Sequence, residues 1–113
     1  MADFHKSASQ HMEKHPKFEG VGICRLAGSY SGAPVGISIL EIDPGVEIPV
    51  HTHDESIDAI FVLKGTGEAF VNGSWQEISK GDFIMVPAGE EHGVRSRSAA
   101  PLRLYIVHQP PLF

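Results

Sequence analysis

Residues 57–86 read IDAIFVLKGTGEAFVNGSWQEISKGDFIMV, and within these thirty positions there are four strand signatures. Ile57 to Leu63 is an apolar run broken only by Asp58. Its length and flanking turn residues predict a strand buried on both faces rather than a helix. Glu68–Val71 and Trp75–Ile78 flank Asn72-Gly73, a dipeptide that accepts positive φ at both positions and so predicts a tight hairpin. Phe83–Val86 is a further short strand, stopped by Pro87. Working outward, Val21–Leu26, Val35–Ile42, His92–Arg97 and Leu102–Val107 read the same way. Gly28–Pro34 and Asp43-Pro44-Gly45 supply turns between them. Short strands at regular spacing predict an all-β chain, a small antiparallel sandwich or closed barrel. Only the first residues differ. His5–His15 could form a short helix ended by Pro16, so the expected organisation is an arm over 1–19, a barrel over 20–108 and a tail over 109–113.

Composition narrows the function. The 113 residues are 42% hydrophobic, enough for one domain with its own core. Nine Lys and Arg stand against fourteen Asp and Glu, a formal charge of −5. That balance opposes a phosphate-binding surface and argues against nucleic acid as a partner. No run reaches the ~20 apolar residues of a membrane-spanning helix. The opening segment lacks the apolar core of a signal peptide. Cys24 is the single cysteine, so no internal disulfide forms, and a cytoplasmic protein is the expectation.

The seven histidines carry the chemistry. In His51-Thr52-His53 the two imidazoles share a face of an extended strand. Imidazole pairs begin many Zn, Cu, Fe and Ni sites, although such a pair taken alone is more often a polar surface pair. The surroundings add to it. Gly45, His51, His53, Asp58 and Gly65 form one spaced cluster, and Gly81, Pro87, Gly89 and His92 a second. The pattern G-x5-H-x-H-x4-acid-x6-G followed by G-x5-P-x-G-x2-H resembles the two motifs of the cupins. Fifteen residues, Thr66–Lys80, stand as the short spacer between them. Two positions depart from the pattern: Asp58 stands where the family usually has Glu, and Ser96 where it has Asn.

The resemblance implies a cupin-like jelly-roll holding one divalent transition metal (Fe, Ni, Zn, Mn or Cu) on His51, His53, His92 and the acid, here Asp58. Asp58 is one methylene short of the usual ligand, on the order of 1.5 Å. It ligates directly only if its strand moves inward or a water bridges the gap. Its alternative is a buried acid bonded to backbone or to His51. Strand parity agrees with an inward site: Asp58, Ile60 and Val62 share one face, and His92, Val94 and Ser96 another. The motif glycines are expected at turns with positive φ. Arg95, Arg97 and Arg103 are expected outside, Cys24 buried, and His5, His11 and His15 on a solvated arm. Nothing fixes the direction of His108.

Cupins run dioxygenation, isomerisation and decarboxylation, so the resemblance implies an enzyme acting on a small polar molecule without choosing the reaction. The alternative is a non-catalytic metal- or ligand-binding module. A regulator is disfavoured, since no DNA-binding helix pair is visible. The resemblance also implies a homodimer, which the alternate face of strand 57–63 (Ala59, Phe61, Leu63) could support by sheet-to-sheet pairing.

Overall fold

The computed structural model describes all residues, 1–113. Ten strands run in chain order: β1 (Glu13–Lys14), β2 (Val21–Ala27), β3 (Gly36–Ile42), β4 (Glu47–His51), β5 (Ile57–Lys64), β6 (Thr66–Val71), β7 (Ser74–Ser79), β8 (Phe83–Val86), β9 (His92–Ser96) and β10 (Leu102–Gln109). They form two antiparallel sheets. The larger has the order β1-β2-β3-β10-β5-β8 and the smaller β4-β9-β6-β7. Side chains alternate along each strand, so the inner faces meet in one apolar core. Val62, Leu102 and Leu104 have no exposed surface there, and Ile60 has 2%. The Asn72-Gly73 hairpin forms as its sequence predicts, with φ of 53° and 83°, between β6 and β7.

Three expectations are corrected. The arm is not helical: it holds a 3₁₀ turn at Ser7–Ser9 and the two residues of β1, which pair with Ile23 and Gly22 of β2. A helix of so few residues is marginal alone, and pairing to an open sheet edge satisfies backbone groups a frayed helix would leave to water. Strand β5 is buried on one face only, with Asp58, Ile60 and Val62 inside and Phe61 40% exposed on the other side. No second layer covers the outer face of the large sheet. The extended strand expected to carry both His51 and His53 is β4, which pairs with β9 but ends at His51, so His53 reaches the same end of the molecule from the loop that follows.

The four motif glycines 45, 65, 81 and 89 all have positive φ, between 78° and 94°. At Gly65 the fit is tightest: a Cβ there would stand 2.7 Å from the Pro101 carbonyl oxygen. This position therefore needs glycine for both its dihedral and its space.

Candidate metal centre

Register builds the site. On the small sheet His51 lies directly opposite His92, and on the large sheet Asp58 lies directly opposite His108. Opposed residues on antiparallel strands project to the same face, so each sheet contributes a pair of polar side chains to the core at one end of the molecule. His53 follows β4 in a loop whose carbonyl accepts a 2.7 Å hydrogen bond from the Gly89 amide. That bond ties the first motif's loop to the second's.

The side chains converge. Ring centroids stand 4.8 Å apart for His51 and His53, 4.4 Å for His51 and His92, and 5.0 Å for His53 and His92. One ring nitrogen from each of the three lies within 4.8 Å of the others. Two of the rings are oriented by backbone. Nδ1–H of His51 donates to the Pro49 carbonyl at 2.7 Å and that of His92 to the Glu90 carbonyl at 3.0 Å. Both hydrogen bonds turn Nε2 toward the centre, where that of His92 donates to Asp58 Oδ2 at 3.0 Å. Asp58 is 4% exposed. Its Oδ2 lies 3.0 Å from His92 Nε2, 3.3 Å from His108 Nε2 and 3.8 Å from His53 Nε2. Ligands held at about 2.0–2.2 Å from one ion stand roughly 3–4 Å apart. The His92 and His53 separations fall in that range, so the shorter acid reaches the cluster from its place on β5. It is not bonded to His51, the partner named as its alternative.

Electrostatics follows from burial and proximity. Burial, with the neighbouring His51 charge, lowers His53 to about 4, and burial likewise lowers His51. Both imidazoles are therefore neutral at pH 7, the form that ligates a metal. Burial alone would raise the Asp58 carboxyl, but hydrogen bonds from His108 and His92 outweigh it and hold Asp58 well below the usual carboxylate range. Burial disfavours charge on His92, while the bonds to Asp58 and to the Glu90 carbonyl overcome it and raise its pKa. Asp58 Oδ1 and His108 Nδ1 are buried without any partner in the protein. Orphaned polar atoms beside convergent imidazoles fit a site built for a cation.

The centre forms the floor of a cavity of about 370 Å³. Its walls are apolar, with Leu40, Ile48, Ile60, Leu104 and Ile106 among them. His51, His53, Asp58 and His92, picked out in the sequence, are all brought together here. His108 was left without a direction, yet it is 8% exposed and shares the inner face with Leu102, Leu104 and Ile106. That period-two pattern was the signal that could have placed it. His15 corrects the solvated-arm expectation: it is half-buried and lines the cavity. Its Nδ1 accepts from the Lys17 and Phe18 amides at 3.0 and 3.3 Å. His5 and His11 are exposed. Arg95 and Arg97 face outward as expected, both bonded to Glu68, with Arg95 stacked 3.9 Å over Trp75.

Comparison with known proteins agrees with this fold. The model of the family "Cupin domain" matches residues 38–108. The chain belongs to the cupin family. It is 29% identical over 93 residues to 5-nitrosalicylic acid 1,2-dioxygenase of Bradyrhizobium sp., covering 82% of this chain and 44% of that protein. It is 31% identical over 71 residues to quercetin 2,3-dioxygenase of Bacillus subtilis, covering 63% of this chain and 21% of that one. The chain thus spans less than half the length of either dioxygenase. Among solved structures, a predicted oxalate decarboxylase from Thermotoga maritima superposes with a TM-score of 0.83 at 20% identity, covering 93% of this chain and 96% of that one. The polyketide cyclase RemF from Streptomyces resistomycificus gives 0.83 at 22%, covering 100% and 87%. These likenesses establish the jelly-roll fold. No helix of the chain is long and apolar enough to cross a membrane.

Proposed function

We propose that the chain is a metal-dependent enzyme acting on a small polar molecule, with one divalent transition metal held by His51, His53 and His92 and with Asp58 as the fourth ligand. The observation that carries this reading is a pair of donor triads, His51–His53–His92 and His53–Asp58–His108, that share His53 on the floor of a largely apolar cavity. A bound metal there supplies Lewis acidity and, where it is redox-active, electron transfer to or from the substrate. The chain's own residues do the rest. Pro49 and Glu90 carbonyls hold two rings with Nε2 inward, while the aliphatic walls exclude bulk water and strengthen every electrostatic contact inside. Asp58 can hold a proton-bearing group of the substrate or of His108 beside the centre.

Among the reactions that cupins run, dioxygenation is favoured by similarity to two proteins named as dioxygenases, both of which outrun this chain in length. Elemental analysis of protein purified without a chelating step, joined to oxygen uptake over a panel of hydroxylated aromatic acids and flavonols, tests it. Near-stoichiometric iron with substrate-dependent uptake is expected. A protein that holds no transition metal under any loading condition would instead be a non-catalytic ligand-binding module.

We also propose that the uncovered face of the large sheet meets a second copy of the chain. Phe61 and Phe83 lie opposite each other on β5 and β8, and Met85 beside them is 51% exposed. A two-fold contact needs only that one apolar patch suit itself.

A further inference from the structure

The family match begins at residue 38, yet part of the cavity wall comes from outside it. His15, Pro16, Lys17 and Phe18 on the arm, with Leu112 and Phe113 on the tail, close the mouth above the metal donors. The floor is built from the matched segment; the mouth is built from this chain's flanks.

The mouth is a fixed structure. The His15 amide donates to the Val21 carbonyl at 2.8 Å, and the Ser29 amide to Phe113 O at 2.6 Å. The Phe18 ring lies 4.8 Å from His15 and 6.2 Å from His51, so the arm reaches the first metal-site histidine. The Arg25 guanidinium sits 4.7 Å over the Phe113 ring.

Charge at this mouth is opposite in sign to that of the molecule. The chain carries −5 overall. Lys17 is the one Lys or Arg that lines the cavity, and Asp58 on the floor is the one acidic side chain. Asp58 is already engaged by imidazoles. Lys17 makes no ion pair: the nearby Glu19 is taken by Lys14 at 3.3 Å. The Lys17 ammonium lies 5.7 Å from the Phe18 ring centroid, at the rim. A free cation at the entrance of an apolar cavity with low-dielectric walls attracts and orients anions.

We propose that Lys17 determines specificity at this site by selecting small organic anions, a carboxylate on an apolar body, with the carboxylate at the Lys17 ammonium and the body against the aliphatic wall. This rests on the reading of the cavity as a substrate site, but it does not require the metal to be present.

Three probes separate the contributions: benzoate, the neutral benzamide of the same shape, and acetate, which has the charge without the body. Binding is followed by NMR titration of the full chain, both metal-loaded and chelator-treated, with metal content measured on the same samples. Wild type should bind benzoate, with acetate at least about tenfold weaker. Lys17→Ala should weaken benzoate about tenfold, the scale of one charge contact at a half-exposed rim, and move benzamide less than about twofold on the same scale. Lys17→Arg should retain benzoate binding and Lys17→Glu should abolish it. Lys17 is exposed, so these variants keep the fold. Equal effects on benzoate and benzamide, no effect on either, or no benzoate binding by wild type would overturn the proposal. Metal content reports separately on the metal centre. A protein without metal whose Lys17 variants still discriminate the probes would uphold Lys17 and sink the metal reading; the reverse pattern would do the opposite.

Discussion

Asp58 sits between three imidazoles at 3.0, 3.3 and 3.8 Å, and its environment sets what a change there costs. Asp58→Ala leaves His92 and His108 without their buried anion, and breaking such a pair costs about 3–5 kcal/mol. Chemical denaturation of the metal-free variant should show a loss of that order, and a loss under ~0.5 kcal/mol would mean the carboxylate is not a structural anchor. Asp58→Glu adds a methylene to a packed floor, normally a cost of ~1–3 kcal/mol, but restores the length that the family pattern expects. The variant should fold and bind metal at least as tightly as wild type, as read by competition with a chromophoric chelator. Replacing His51, His53 or His92 by Ala should each lower metal occupancy severely while circular dichroism stays that of the native sheets, because the barrel is held by apolar burial elsewhere. Stoichiometric metal in any one of these variants would remove that residue from the ligand set.

The strands were legible where alternation is clean and turn chemistry is strong, as at Asn72-Gly73 and in β8 before Pro87. His51, His53, Asp58 and His92 were legible as a group through the two spaced motifs that resemble those of the cupins, and the pairing of β4 with β9 sets His51 opposite His92. For His108 the alternation of β10 gives the inward face, but its place opposite Asp58 depends on β10 lying beside β5, a non-local pairing that no short pattern encodes. The arm was not legible for a similar reason: β1 pairs with the edge that β2 offers, and His15 lies between Phe18 and Phe113, contacts that the local sequence does not encode. β5 reads as covered on both faces because a nearly continuous apolar run looks alike for a strand covered on both sides and one left bare on one. At this scale the turn before β6 makes a firm prediction. Gly65→Ala combines φ of +89° with a Cβ 2.7 Å from the Pro101 carbonyl, whereas Gly73→Ala meets φ of +83° but no neighbour within 4 Å. Positive φ costs a non-glycine residue about 1–2 kcal/mol, so both variants lose stability. Gly65→Ala should lose clearly more, and equal losses in thermal unfolding would show that the Pro101 backbone yields.

Across the whole molecule, two sheets enclose one core and leave an uncovered apolar face on one side and a cavity at one end. If that face joins two copies, Phe83→Lys or Met85→Lys should shift sedimentation from dimer to monomer without changing metal content, because both side chains point away from the site. A wild type that sediments as a monomer at all concentrations would remove the second copy. The central claim concerns the cavity floor, where the fold delivers donors from both sheets and from the loop after β4 to one point. Anomalous diffraction from crystals of metal-loaded protein, collected on both sides of the metal's absorption edge, tests it most directly. One anomalous peak is predicted about 2.0–2.2 Å from Nε2 of His51 and His92 and from a ring nitrogen of His53, with Asp58 completing the set. A peak elsewhere on the chain, or none in protein carrying a full equivalent of metal, would contradict the account.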